Sequence, residues 1–469
     1  MLRLADFKNK KILIMGLGLH GGGVGAAAFF AKLGSRIVVT DLKSRRELAP
    51  SVAKLRRFRN ITYHLDGHRP KDFRAADYII KGPGVPETSP FLKIAKRASV
   101  PVLSDVEIFF LLCPAPIIGI TGTKGKSTTA TLVARMLNTG QGVLYARSRV
   151  YYSPGRPRRR VWLGGNIRKS MLEFLPHVRK GDLVVLELSS FQLDSLKSSR
   201  LSPHIALITS IFPDHLNRYP SMRAYKASKA NIFRYQKRGD YLFINGRDAT
   251  LKRLAKGAPS RVTQFDPTRM ARRFHAVLAP DIPSYHLPNI AGAIAIAKHV
   301  GVGEKAIRHV LSTFHGMPSR MQVVRKVNGI EFINDTTATN PTAAEQAVIA
   351  TKRRIGRRGL HVIAGGYDKG LPVGKFVRVL RQYAATVVFL PGKASVKMKQ
   401  RLQREQKGQR PQTFTAKTMR EAVWVARRNA KAGDAVLLSP GAASFGLFKH
   451  EFDRGEQFVK AVRALPGSI

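Results

Sequence analysis

The chain has 469 residues, 44% of them hydrophobic, and carries 81 lysines plus arginines against 29 acidic residues, a formal charge of +52. That length exceeds one ordinary core and, at about one domain per 100–200 residues, predicts three α/β domains. No stretch approaches the roughly 20 uninterrupted apolar residues of a membrane span, the run from Met1 to Asp6 lacks the layout of a signal peptide, and the single Cys113 excludes an internal disulfide, so a soluble protein of the reducing cytoplasm is expected.

The first segment opens with a strand, Lys11 to Met15, followed by Gly16-Leu17-Gly18-Leu19-His20-Gly21 and a helix of small residues through Ala31. A second strand, Arg36 to Thr40, ends on Asp41. Together they make a Rossmann-like βαβ unit, in which glycines let backbone N–H groups and a helix N-terminus approach phosphate. The G-x-G-x-x-G spacing alone leaves a dinucleotide and a ligand-free tight turn both open. Cys113-Pro114-Ala115-Pro116 reads as a linker, and Met317-Pro318-Ser319-Arg320 as a second boundary. The expected domains are therefore 1–113, 114–317 and 318–469. In the last, strands at 361–364, 386–390 and 435–438 alternate with helical segments, the pattern of a second Rossmann-like parallel sheet.

The strongest local signal is Thr121-Gly122-Thr123-Lys124-Gly125-Lys126-Ser127-Thr128-Thr129, between the buried strand Ile117 to Ile120 and a helix through Leu137. Its glycines permit a turn whose amides encircle phosphate oxygens; Lys126 offsets the β/γ charge, and Ser127 or Thr128 offers a hydroxyl to magnesium. Glu187 ends an apolar strand, where a carboxylate would sit beside the phosphate loop and hold magnesium, or else cap a helix or pair with a cation. Taken by themselves, His215 reads as a hydrogen-bonded structural histidine, Lys229 as a solvated lysine and Asn289 as a helix cap.

The shortened G-x-x-G-K-S-T loop resembles that of the Mur ligase and folylpolyglutamate synthetase superfamily. Further blocks resemble the Mur ligases that add glutamate, in their order along the chain: Gly164-Gly165-Asn166-Ile167, Glu187-Leu188-Ser189-Ser190-Phe191-Gln192-Leu193, Asp214-His215-Leu216-Asn217, Asn334 to Pro341, and Ser439 to Phe445. The resemblance covers nearly the whole chain. It implies an ATP- and magnesium-dependent ligase of peptidoglycan precursor synthesis, adding D-glutamate to UDP-N-acetylmuramoyl-L-alanine through an acyl phosphate. It further implies that ATP lies between central and C-terminal domains, with closure excluding water.

By the same resemblance, Gly16, Gly18, Asp41, Gly82, Gly84 and Asn166 contact the UDP substrate. Residues Gly122 to Thr128 hold the ATP phosphates, Asn289 faces adenine, Arg320 the γ-phosphate and Asp335 the ribose. Magnesium falls to Ser127, Thr128, Glu187, His215 and a carbamylated Lys229, with neighbouring Lys226 as the alternative register. Thr339, Lys369 and Ser444 take the incoming amino acid. Two positions depart from the family: Thr337 stands where a lysine is usual, and Glu451 where an aromatic is expected. They leave D-glutamate, L-glutamate or another amino acid open, with the D form favoured by whole-chain resemblance.

Two other readings compete. A folate polyglutamylating ligase shares the phosphate loop without a muramoyl-type N-terminal domain. A basic P-loop nucleic-acid binder accounts for +52, with runs at Arg156-Pro157-Arg158-Arg159-Arg160 and 352–358, yet has no zinc-finger, RNP-like or basic-leucine pattern. Solvated basic surface is the simpler account, so no specific nucleic-acid partner is expected; a monomer is expected as well.

Overall fold

The computed structural model describes residues 2–19, 21–139, 143–144, 160–166, 170–215, 218–274, 277, 286–314, 316–404 and 411–467. His20, Ile167, Leu216, Asn217 and nearly all of the Arg-rich stretch 147–160 lie outside them.

Among the described residues, three sheets organise the chain. The first is built from β1 (Lys11–Met15), α1 (Gly22–Lys32), β2 (Arg36–Thr40), α2 (Ala49–Leu55), β3 (Ile61–His64), α3 (Pro70–Ala75), β4 (Tyr78–Lys81), α4 (Pro90–Arg97), β5 (Val102–Ser104) and α5 (Asp105–Leu112). Its parallel order is β3-β2-β1-β4-β5, so the chain reverses direction across the sheet at β1. The glycine turn follows β1, where an open α/β sheet places ligands.

The second sheet comprises β6 (Ile117–Thr121), α6 (Lys126–Leu137), β7 (Val143–Leu144), β8 (Val161–Gly165), β9 (Leu183–Glu187), α7 (Ser190–Ser198), β10 (Ile205–Ile208), α8 (Met222–Arg234), β11 (Tyr241–Asn245), α9 (Ala249–Ala255), β12 (Arg261–Phe265) and α10 (Pro267–Phe274), followed by α11 (Leu287–His299) and α12 (Glu304–Ser312). The order β12-β11-β10-β6-β9-β8-β7 is again parallel. Strands β6 and β9 are buried at every position, the reason they read as unbroken apolar runs: a parallel strand covered on both faces has no solvent side to alternate with.

The third sheet comprises β13 (Gln322–Val327), β14 (Ile330–Asn334), α13 (Pro341–Ile355), β15 (Leu360–Ala364), α14 (Gly374–Tyr383), β16 (Thr386–Phe389), α15 (Lys393–Arg404), β17 (Gln412–Thr415), α16 (Met419–Arg428), β18 (Ala435–Leu438) and α17 (Glu451–Arg463). Its order is β13-β14-β18-β15-β16-β17, parallel apart from the antiparallel β13–β14 pair.

Packing divides the chain into two compact units. One holds residues 1–211, 226–277 and 288–311; the other holds 212–225, 278–287 and 312–469, so the segment bearing Asp214 and His215 packs with the C-terminal sheet. Within the first unit, one core runs from Phe7, Ile14 and Phe30 through Phe109 to Phe174 and Leu186, joining two sheets. Buried Glu107 reinforces that join by accepting from Ser198 and Ser199 Oγ, both at 2.8 Å. No helix among the described residues is long and apolar enough to cross a membrane.

Candidate active site

The phosphate loop leaves β6 and enters α6 through Gly125, whose φ of 86° lies in the left-handed region that glycine enters without steric cost. A side chain at Gly125 would collide with the Asn289 amide, since its Cβ would lie 2.0 Å from Asn289 Oδ1. Asn289 sits inside the first turn of α11, beyond the helix start at Leu287, and stands against the phosphate loop. The loop is buttressed from the end of β10: Thr209 Oγ1 donates to Lys124 O at 2.5 Å, and Thr123 N–H to Ser210 O at 2.7 Å. Lys126 folds back, its Nζ 3.0 Å from Gly122 O and 3.1 Å from Thr123 O.

Glu187 ends β9 in register with Ile120 of β6, which brings its carboxylate to the loop. Ser127 Oγ donates to Glu187 Oε2 at 2.5 Å and Asn166 Nδ2 to Oε1 at 2.9 Å. The helix-cap reading of Glu187 does not hold, because Ser189 caps α7 in a box with Gln192. Lys229, on α8, is fully buried rather than solvated, with Nζ 2.9 Å from Gly122 O and 3.3 Å from Thr121 Oγ1. Thr128 Oγ1 is buried with no hydrogen-bond partner among the described residues, the condition of a polar group that a ligand or water completes. A carboxylate and two hydroxyls suit magnesium, which takes hard oxygen donors and keeps several waters. No cluster of three or more His, Cys, Asp or Glu suited to a metal occurs among the described residues.

The N-terminal turn has different furniture. Gly16, Gly18 and Gly21 all have positive φ. Asp41 is buried, and its carboxylate accepts from the amides of Gly18 and Lys43, each at 3.0 Å. It thus braces the turn from beneath. Gly82 donates to Met15 O at 2.8 Å, tying the loop after β4 to the end of β1, with Gly84 two residues on. Thr40 Oγ1 lies 2.7 Å from His68 Nδ1, and burial lowers the His68 pKa against the pull of Asp41.

The C-terminal unit gathers its candidates around two buried charges. Asp335 accepts from Ser439 Oγ at 3.1 Å and from Met321 N–H at 3.3 Å. Arg320 lies between Ser319 and Met321, both at positive φ, a strained arrangement of the kind that clusters at working loops. It also repels a proton from buried His286, whose pKa burial and Arg320 lower to about 4. Asp214 accepts from Asn340 Nδ2 at 2.9 Å and lies 3.9 Å from Lys369 Nζ. His215 follows it at φ 55°. Thr339 and Lys369 line one small cleft with Tyr367 and Ala442, and Ser444 lies two residues beyond Ala442, buried. Thr337 is occupied locally, donating to Ser319 O at 3.1 Å.

The roles of Thr209, Ser210, Asp214 and Arg454 are not visible in the sequence. Asn340 was within reach, since Asn before Pro at a helix start is a capping signal, and its side chain accepts from Ala343 N–H. Arg454 shares the face of α17 with Phe458 and Ala461, a register that marks it as inward-facing.

Family models match along the chain: a Mur ligase MurD-like N-terminal domain over residues 10–104, a Mur ligase middle domain over 120–279 and a Mur ligase glutamate ligase domain over 319–441. A UDP-N-acetylmuramoylalanine–D-glutamate ligase of Roseiflexus sp. is 37% identical, the match covering 97% of this chain and 99% of that protein. The protein of the same name from Borreliella burgdorferi is 34% identical over 98% and 99%. Among solved structures, the UDP-N-acetylmuramate–alanine ligase of Thermotoga maritima has the same fold, with a TM-score of 0.60 at 16% identity over 97% of this chain and 99% of that one.

Proposed function

Because the chain belongs to the Mur ligase family, and within it to the UDP-N-acetylmuramoylalanine–D-glutamate ligases, we propose that it joins D-glutamate to UDP-N-acetylmuramoyl-L-alanine at the expense of ATP. The observation that carries this reading is the convergence of Ser127, Glu187, Lys126 and Lys229 on the loop after β6.

The substrate carboxylate attacks the γ-phosphorus of ATP in line, ADP leaves, and the glutamate amine then displaces phosphate from the acyl phosphate. No protein nucleophile is needed; the chain positions reactants and offsets charge. The amides of 122–128 enclose phosphate oxygens. Lys126 exchanges its contacts to Gly122 and Thr123 carbonyls for the transferring phosphoryl group. Glu187 with the hydroxyls of Ser127 and Thr128 would hold magnesium, which would supply Lewis-acid stabilisation of phosphate charge. Lys229 is suited to carbamylation: its ammonium gives up one proton, the free amine adds carbon dioxide and loses a second, and a buried cation beside the loop becomes an anionic oxygen donor. Asn289 faces the adenine, and Arg320, Asp335 and His215 keep the ATP and metal roles that family membership suggests.

The N-terminal turn, with Gly16, Gly18, Gly82 and Gly84, holds the UDP moiety, Asp41 fixing the turn's shape. Thr339, Lys369 and Ser444 receive the two glutamate carboxylates through hydroxyls and one positive charge. The functional domains are 1–113, 114–317 and 318–469, in a monomer of the cytoplasm. Incubation with ATP, magnesium, UDP-N-acetylmuramoyl-L-alanine and separate D-glutamate, L-glutamate and neutral amino acids, read by product mass, tests this. A D-glutamyl product is expected; a product only with another amino acid overturns the assignment.

A further inference from the structure

Arg454 is fully buried in α17, and the ligation chemistry makes no use of it. Its guanidinium makes three hydrogen bonds: Nε to Thr336 Oγ1 at 3.0 Å, Nη2 to Thr336 O at 2.8 Å and Nη1 to Ala442 O at 3.0 Å. Thr336 Oγ1 in turn donates to Glu451 O at 2.7 Å, pinning the first turn of the same helix. At Gly455 a Cβ would come within 2.6 Å of Thr336 Cγ2, so the helix lies directly on this loop.

The two carbonyls that Arg454 joins belong to different loops. Thr336 is three residues before Thr339, and Ala442 is two before Ser444. The third candidate loop is joined to the second, since Tyr367 N–H donates to Ala443 O at 2.9 Å and Ala443 N–H to Tyr367 O at 3.2 Å, two residues before Lys369. Gly441 N–H to Ala338 O, at 2.9 Å, completes the circuit. A planar guanidinium with a fixed fork of donors sets the distance and angle between two carbonyls in a way that no apolar side chain does. Burial lowers its pKa to about 10, with Glu451 and Asp335 opposing, so it stays charged at neutral pH.

Resting on the glutamate reading above, we infer that Arg454 is a positioning residue that fixes the loops of Thr339, Lys369 and Ser444 as one receptor for the incoming amino acid. Arg454 reaches Asp335 through charge, whereas its hydrogen bonds go to Thr336 and Ala442; Asp335 is tied to Ser439 Oγ and Met321 N–H and by its own N–H to Leu438 O. Disturbing Arg454 therefore reaches glutamate before it reaches ATP.

The test is steady-state kinetics on the full chain carrying Thr336→Val, Thr336→Ser or Arg454→Lys. Thr336→Val keeps the shape and removes the oxygen that receives Nε; it should raise the glutamate KM about tenfold with the ATP KM within about twofold. Thr336→Ser restores the oxygen and should return wild-type values. Arg454→Lys cannot span both loops and should raise the glutamate KM further; should that variant not fold, the Thr336 pair decides. An unchanged glutamate KM in Thr336→Val, or glutamate and ATP constants rising together, overturns the inference. If the wild type takes an amino acid other than D-glutamate, the glutamate reading fails by itself, and the same ratio measured with the accepted amino acid still decides the role of Arg454.

Discussion

The glycine turns after β1 and after β6 share a plan and differ in charge. Each follows a buried strand and enters a helix through a glycine in the left-handed region, Gly21 at φ 94° and Gly125 at 86°. The first is braced by a carboxylate: Asp41 accepts from Gly18 N–H, and Ser51 Oγ donates to Gly18 O at 2.6 Å. The second is braced by cations and hydroxyls: Lys126 and Lys229 both donate to Gly122 O, with Thr209 and Ser210 beneath. A turn that only has to hold a diphosphate needs amides and a rigid shape. A turn across which a phosphoryl group moves needs mobile positive charge and a place for a metal as well.

The comparison breaks if the charge on the second turn is dispensable. Lys126→Ala should lower kcat about 30- to 1000-fold, the value of some 2–4 kcal/mol of transition-state stabilisation, with thermal stability close to wild type. Near-normal turnover in a folded variant would reduce the two turns to equivalent binding loops. Next in size, Lys229→Ala should abolish most ligation, and short carboxylates such as acetate should restore part of it if the working form is a carbamate. A 13C NMR spectrum of the active enzyme equilibrated with 13C-bicarbonate at alkaline pH that shows no protein carbamate signal would count against that chemistry.

For the first turn, Asp41→Asn should act through shape. One of two amide bonds to the carboxylate is lost, at roughly 1–3 kcal/mol for a buried donor left unmet. The UDP-substrate KM should rise severalfold while kcat and the ATP KM hold, measured by varying each substrate in turn. A kcat loss matching that of Lys126→Ala would mean that both turns take part in the chemistry.

The two turns also differ in how far residues alone disclose them. Both announce themselves, because a strand, glycines at fixed spacing and a helix are local features; so are the apolar strands β6, β9 and β18, whose burial on both faces leaves no polar alternation. Asn289 reads as a cap because a polar residue at a helix start usually is one; its place against Gly125 is a contact between residues far apart in the chain, with no local signature. Lys229 reads as solvated for the same reason. Arg454 shows the limit most sharply: its three bonds reach Thr336 and Ala442 from a helix far along the chain, and only its register with Phe458 hints that it faces inward.

A last difference between the turns concerns Asp105, the buried first residue of α5. Its carboxylate lies close enough to α1 that a Cβ on Gly22 would sit 3.9 Å from Oδ2. Burial raises its pKa from 3.8 to about 6, against the hydrogen bond from Val106 N–H and with repulsion from Glu107. Between those values the folded chain binds more protons than the unfolded one, so stability falls as pH rises through that window and the full cost persists above it. A rise of that size costs at most about 3 kcal/mol once the carboxyl is ionised. Asp105→Asn keeps an acceptor for Val106 and carries no charge to bury. It should raise Tm by a few degrees at about pH 8 and leave it unchanged near pH 3.5, with kcat unaltered, as calorimetry beside the ligation assay would read. A variant that lowers Tm at the higher pH would show that the charged carboxylate supports the N-terminal turn, and the contrast between a rigid acidic turn and a working basic one would then extend one residue further, to the start of α5.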